Sequence, residues 1–281
     1  ATAAPTTARG AAAHAPLPWH PPAAPRPGPS LHSTCGQYID RVPRPFFDVL
    51  GRQAAAGLRA AARRLGGPCA ICRQWGPEGI CADCRQLHVL PRARCDRCGL
   101  ALPSPGRCIA CRGDVPPFVR TQVAVDYAFP WDRLVADLKF GGGTDLAGAL
   151  GALFATRLQP GPVSLLVPVP LAPGRLAQRG YNQAGLLAQA LSARLDLPVA
   201  HALLQRPVDR RQQAALSREE RLSNLRGAFL VDPARRDRLA GRHVALVDDV
   251  MPTGATAREA SAELLRAGAA TVEVWAFART P

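Results

Sequence analysis

Val244-Ala245-Leu246-Val247 runs directly into Asp248-Asp249, and three residues later into Thr253-Gly254-Ala255-Thr256. Four apolar residues in a row read as a strand buried on both faces, with two acids at its carboxyl end. The small-residue loop leads into an amphipathic helix predicted from Thr256 to Ala267 and stopped by Gly268. In open α/β sheets, ligands bind outside the carboxyl ends of strands. A tight loop at a helix N-terminus adds free N–H groups and the positive end of the helix dipole. Adjacent carboxylates ahead of such a loop suit a sugar phosphate, the acids taking ribose hydroxyls and the loop taking the phosphate. An Asp pair after a strand is common; the full apolar-DD-x3-TGxT string is far more specific.

A second constellation lies upstream. Eight of the nine cysteines fall in four C-x2-C pairs: Cys69/Cys72, Cys81/Cys84, Cys95/Cys98 and Cys108/Cys111. Two-residue spacing points both sulfurs of a pair at one ion, and two pairs complete a tetrahedral four-thiolate site. The expectation is two structural Zn2+ ions, with consecutive pairs sharing a site and an interleaved arrangement open. Disulfides are disfavoured without a secretory signal, a redox C-x2-C would not come four times over, and an iron–sulfur cluster is a lesser rival. Cys35 is left over and is expected to be inert.

These residues need elements to hold them. Phe47, Leu50, Ala54, Leu58, Ala61 and Leu65 recur at three- and four-residue steps and predict a helix ended by Gly66-Gly67-Pro68. After the cysteine segment, Val115-Pro116-Pro117 reads as a linker. Strands are then predicted over 120–127, 164–169, near Val199, over 243–247 and 271–277, with helices over 130–140, 145–158 and 182–195 between them. This alternation predicts a mostly parallel sheet with helices on both faces, preceded by a small zinc-ribbon domain. The segments divide as an arm over 1–45, a helix with double zinc ribbon over 46–115, and an α/β domain over 116–281. Each of the last two is expected to have its own core.

The formal charge is +14, from 35 basic residues against 21 acids, and Lys139 is the lone lysine. Eight arginines against two acids fall within 1–65, seven against four within 66–115, and twenty basic against fifteen acidic beyond. No stretch is a dense basic block, so the charge favours anionic partners without naming one. Eight thiolates and two Zn2+ would bring the cysteine segment to about −1. That makes it a poor electrostatic binder of DNA unless Arg73, Arg92, Arg94 and Arg107 cluster on one face. The Ala/Pro-rich arm cannot bury enough surface to order itself, and His14, His20 and His32 within it are expected to be solvated. No membrane span and no secretory signal are expected, which points to the cytoplasm.

With both halves in view, the chain resembles the ComF/GntX family, the competence-protein-F-like phosphoribosyltransferases. Val244–Thr256 is similar to the phosphoribosyl pyrophosphate (PRPP) motif of type I phosphoribosyltransferases, and the four knuckles resemble the family's double zinc ribbon. Leu134-Val135-Ala136-Asp137-Leu138-Lys139-Phe140-Gly141-Gly142 is similar to its L-x3-LKY-x-G element. Val167-Pro168-Val169-Pro170-Leu171, Arg175-Leu176 and Arg179-Gly180-Tyr181-Asn182-Gln183-Ala184 resemble its VPVPL…RL…RGFNQA signature. Arg206, Gln213, Leu216, Arg221 and Asn224 fit its R-x6-Q-x2-L-x4-R-x2-N spacing. The coverage runs from about Phe46 to Ala278. Two departures stand out: Pro252 replaces a usual Thr and removes one N–H at the mouth of the loop, and Arg210 replaces a frequent Thr.

The resemblance implies a type I phosphoribosyltransferase-like fold that binds PRPP with Mg2+ and passes the phosphoribosyl group to an amine or base. Asp248 and Asp249 would take the ribose hydroxyls and favour the positive charge developing on the sugar. Thr253, Gly254, Ala255 and Thr256 would cradle the 5′-phosphate. The loop from Leu171 to Arg175 would face the pyrophosphate, with Arg175 as charge partner and Arg179 and Lys139 nearby. For Lys139 a plain helix C-terminus is an equal reading, and Tyr181, Asn182 and Gln183 read equally as helix caps or ligand contacts. Residues 206–226 could close as a lid. No general base or aromatic platform marks the acceptor. The family resemblance further implies a part in DNA uptake or utilisation. The alternative is a non-catalytic PRPP- or nucleotide-binding adaptor of the uptake machinery, contacting single-stranded DNA or partner proteins.

Overall fold

The computed structural model describes residues 66–159, 161–207 and 227–281. The expected arm, the helix over 47–65, His14, His20, His32, Cys35 and nearly all of the expected lid lie outside the described residues. Everything described belongs to the unit Ala56–Pro281.

Four parallel strands form the central sheet: β3 (Thr121–Asp126), β4 (Leu165–Pro168), β7 (His243–Met251) and β8 (Thr271–Arg279), in the order β3-β8-β7-β4. Buried on both faces, they carry apolar runs, as parallel strands do. On one face, Ala124, Val125, Ala245, Val247, Trp275 and Phe277 meet α3 (Trp131–Phe140), α4 (Leu146–Arg157) and α6 (Gln183–Leu195). The rings of Trp131 and Phe154 stand edge-on to Phe277 there. On the other face, Val244, Leu246, Val272, Val274 and Ala276 meet α7 (Ala255–Arg266) through Ala257, Ala260 and Leu264. This is the expected mostly parallel sheet with helices on both faces.

Val199 bridges Leu166 in parallel, where a short strand is predicted. A small antiparallel pair, β5 (Leu204–Gln205) with β6 (Leu230–Val231), joins segments on either side of 208–226. Two details differ from the sequence reading. β7 does not end at the acids but continues to Met251, because β8 runs on to Arg279 and keeps pairing with it. The segment after β4 is α5 (Pro173–Arg179) rather than a loop out to Arg175, with Pro173 starting the helix where its missing N–H costs nothing.

The cysteine segment makes two similar modules. In the first, β1 (Gly67–Pro68) pairs with β2 (Trp75–Gly76), and Cys81 opens α1 (Ala82–His88). In the second, Arg94 and Cys95 bridge to Ala101 and Gly106, and Cys108 opens α2 (Ile109–Gly113). Neither module is packed apart from the sheet. Cys69, Ile80 and Cys84 share the core of the α3–α4–α6 face, and a Cβ on Gly99 would lie 2.6 Å from Val123 of β3. The first module thus shares the core of the sheet, while in the second Cys95, Cys108 and Cys111 form a small cluster of their own with Leu100 and Leu102.

Candidate functional site

The parallel register brings the carboxyl ends of β3, β8, β7 and β4 to one edge of the sheet. Asp248 and Asp249 lie there, each with an oxygen accepting from the next backbone N–H, Asp249 at 3.0 Å and Val250 at 2.9 Å. Asp249 is buried, and Lys139 from the last turn of α3 reaches it, Nζ to Oδ2 at 3.0 Å. Asp248 as a residue is part-exposed, yet its carboxyl is enclosed. That burial and then the adjoining Asp249 carboxylate push it well above the usual carboxylate range.

Beyond Met251 the chain turns through Pro252, Thr253 and Gly254 into α7. Gly254 has φ +82°, a conformation that favours glycine, and a Cβ on it would lie 2.7 Å from the flexible Met251 methyl. α7 has no side chain capping its first turn by way of Gly254. The Thr253 hydroxyl takes only a long 3.4 Å contact from the Ala255 N–H. The first N–H groups of α7 are thus left without a side-chain cap, a few residues beyond the two carboxylates.

β4 lies next to β7, and Val169 N–H donates to Val247 C=O at 2.9 Å, which brings part-exposed Leu171 to the same edge. Arg175 sits on the exposed side of α5 instead of on the loop. Arg179 stands with its Cζ 4.9 Å over the Phe140 ring and donates to Gln183 Oε1. Tyr181 Oη donates to Leu138 C=O, which ties the end of α3 to the turn before α6. Asn182 caps α6, accepting from Ala184 N–H and donating to Val169 C=O. Lys139, Asp248, Asp249 and Thr253–Thr256 are thus gathered together, and Arg179 joins them through Phe140.

The sequence reading gave Phe140 no role at the site and missed Arg279. Phe140 is 78% exposed beside Lys139, and an aromatic closing a helix gives no sign of that. Arg279 is buried at the end of β8 and donates to the carbonyls of Met251 and Pro252. No local pattern announces such a contact.

The cysteines form two groups, Cys69, Cys72, Cys81 and Cys84, and Cys95, Cys98, Cys108 and Cys111, each with its sulfurs within 4.8 Å of one another. Consecutive pairs therefore share a site. A tetrahedral ZnS4 centre with Zn–S of about 2.3 Å needs sulfurs about 3.8 Å apart. Cys72 to Cys81 and Cys98 to Cys108 are each 3.7 Å. Matching N–H groups, Cys81 to Cys69 and Cys108 to Cys95, approach sulfur at 3.4 Å. Burial opposes ionisation of Cys69, but N–H groups led by that of Cys81 outweigh it and lower the thiol to about 6. Cys95 is likewise lowered to about 7. Burial, then crowding by the other sulfurs, pushes Cys84 and Cys111 up. Four thiolates this close need a divalent cation to coexist, so each group could hold a structural zinc ion.

Three of the four arginines weighed for DNA contact are engaged. Arg92 and Arg94 both meet Asp126, at 2.7 and 2.8 Å, and Arg107 meets Asp96.

No protein-family model matches the chain. A DNA utilization protein, YhgH, of Escherichia coli K12 is 36% identical over 227 residues, covering 76% of this chain and 97% of that protein. Competence protein F of Haemophilus influenzae is 31% identical over 211 residues, covering 72% and 91%. The chain belongs to the ComF family. Another member, competence protein ComFC of Bacillus subtilis, is 27% identical over 214 residues, covering 72% of this chain and 85% of ComFC. Among solved structures, the glutamine PRPP amidotransferase of B. subtilis overlaps 47% of this chain and 26% of its own, with a TM-score of 0.33 and 17% identity.

Proposed function

We propose that this ComF-family chain binds PRPP with Mg2+ at the carboxyl end of β7 and transfers the phosphoribosyl group to an amine or base, in a cytoplasmic role in DNA uptake or utilisation. One observation carries the reading: two adjoining carboxylates, the buried one held by a part-exposed lysine, directly ahead of a glycine-opened helix N-terminus. Hydroxyls of a ribose suit the first, and a 5′-phosphate suits the second. Mg2+, a hard cation, would arrive with the pyrophosphate and find oxygen ligands there. Asp248, Asp249 and Lys139 are the groups that would orient the sugar, with Leu171, Arg175 and Arg179 toward the pyrophosphate. The exposed Phe140 ring favours a planar acceptor over a simple amine.

The cellular part of the proposal comes from the relatives' names, DNA utilization and competence. Those names state no reaction, which favours a second reading: a PRPP- or nucleotide-binding adaptor that does not turn over. Single-stranded DNA gains little support as a ligand of the ribbons, since phosphates would have to displace Asp126 and Asp96 from their arginines. Pyrophosphate release from PRPP and Mg2+ across a panel of bases and amines separates the readings. Release with any acceptor supports the transferase; PRPP binding with no release supports the adaptor.

A further inference from the structure

Arg279 closes β8 with its side chain almost wholly enclosed, 5% exposed. Its described hydrogen bonds all go to backbone carbonyls. Nε donates to Cys98 at 3.1 Å, and Nη1 donates to Met251 at 3.0 Å and Pro252 at 2.7 Å, with Thr280 also in reach. A guanidinium cannot shed its charge, and burying it is costly unless every donor is served. An apolar residue would fill a strand end more cheaply. What Arg279 adds is a fixed link between two segments that the sheet itself does not join: a knuckle of the second cysteine group, and the two residues leading into Thr253–Thr256.

The link has a direction. In a planar trans peptide, C=O and the following N–H point opposite ways. Holding the Pro252 carbonyl therefore aims the Thr253 N–H away from Arg279. A second tie runs in parallel. Arg258, in the first turn of α7, donates to Asp114 C=O at 2.7 Å and meets its carboxylate at 3.1 Å, just past the helix that carries Cys111. Both ties start from the second cysteine group. The first group packs its Cys69 and Cys84 into the opposite core.

We propose that Arg279 is a positioning residue that braces the phosphate loop against the second cysteine ribbon, so that phosphate binding at Thr253–Thr256 depends on metal in that ribbon and not in the first. This rests on reading Thr253–Thr256 as the phosphate loop. With metal bound, the Cys95–Cys98 knuckle is rigid and the Cys98 carbonyl is a fixed acceptor. Without it the knuckle loosens, Arg279 loses one anchor, and the loop amides lose their common aim.

The test compares wild type, Arg279→Lys, Cys108→Ser in the second ribbon and Cys81→Ser at the matching position in the first. Zinc content, hydrogen exchange of amides 253–257 and calorimetric titration with inorganic phosphate are measured on each. Cys108→Ser, retaining one zinc, should speed exchange at 253–257 and weaken phosphate by about tenfold, the loss of one charged hydrogen bond's worth of ordering. Cys81→Ser, also retaining one zinc, should leave both near wild type. Arg279→Lys should keep two zincs yet behave at the loop like Cys108→Ser, because an ammonium cannot reproduce the fork. The proposal is overturned if the two cysteine variants affect the loop alike, or if Arg279→Lys keeps wild-type exchange and affinity. Should Arg279→Lys fail to fold, the cysteine pair decides by itself. A wild type that binds no phosphate would sink the reading of the loop, while the exchange comparison would still decide whether the brace exists.

Discussion

Lys139 and Asp249 meet across the carboxyl edge of the sheet, Nζ to Oδ2 at 3.0 Å, with side chains 20% and 4% exposed. Removing the lysine leaves an enclosed carboxylate without its cation. Lys139→Met should cost about 3 kcal/mol of stability, and adding Asp249→Asn should recover a good part of it, since the stranded charge goes too. Urea denaturation of the single and double variants measures both. Strictly additive losses would show that the two residues do not act as a pair.

Asp248 gives a pH signature. Its carboxyl is held above the usual range by burial and then by Asp249, so the folded chain keeps a proton that the unfolded chain gives up at about pH 4. Such a group lowers stability progressively as pH rises from the unfolded value through the folded one. Asp248→Asn should therefore raise the melting temperature at pH 7.5, with the gain fading toward pH 4. A gain that persists unchanged at pH 4 would assign the effect to something other than this ionisation.

Much of this was legible in the sequence, for local reasons. Val244–Val247 announced a buried strand, Gly254 and Gly268 bracketed a helix, and the C-x2-C spacing named the metal groups and left open only their pairing. Lys139 was half legible. Its place at a helix end was readable, but its reach to Asp249 depends on how α3 crosses the sheet. Arg175 was expected on a loop and lies on a helix, because Pro173 starts α5. Arg279 was invisible, because its acceptors are as far away in sequence as Cys98.

Two zinc ions per chain are expected by elemental analysis of protein purified without added metal. Iron with visible absorbance, or less than one zinc per chain, would contradict the fit of the eight sulfurs. Chelation should lower the stability of the sheet as well as the ribbons, because Cys69, Ile80 and Cys84 are part of its core. Unchanged exchange protection in β3 and β8 after zinc removal would argue against that shared core.

Phe140 offers an open ring face beside Lys139, with Arg179 over it at 4.9 Å. If a planar acceptor stacks there, Phe140→Ala should weaken it by about 1–3 kcal/mol and leave PRPP affinity unaltered, whereas Phe140→Trp should retain it. Competition titrations with a nucleobase panel in the presence of PRPP read this out. Equal losses for PRPP and base would point to a disturbed α3 end instead.

The central claim is that the carboxylates of Asp248 and Asp249 hold a sugar phosphate whose phosphate sits on Thr253–Thr256. Calorimetric titration of PRPP with Mg2+ into wild type and Asp248→Asn/Asp249→Asn tests it most directly, with inorganic phosphate titrated in parallel. The double variant should lose about 1.5–3 kcal/mol of PRPP affinity per charged hydrogen bond removed. It should still take phosphate, because the loop binds through backbone N–H groups. Pro252→Thr, which restores a donor, should tighten both ligands slightly. Undiminished PRPP affinity in the double variant would reduce the pair to a polar strand end and contradict the account of the site.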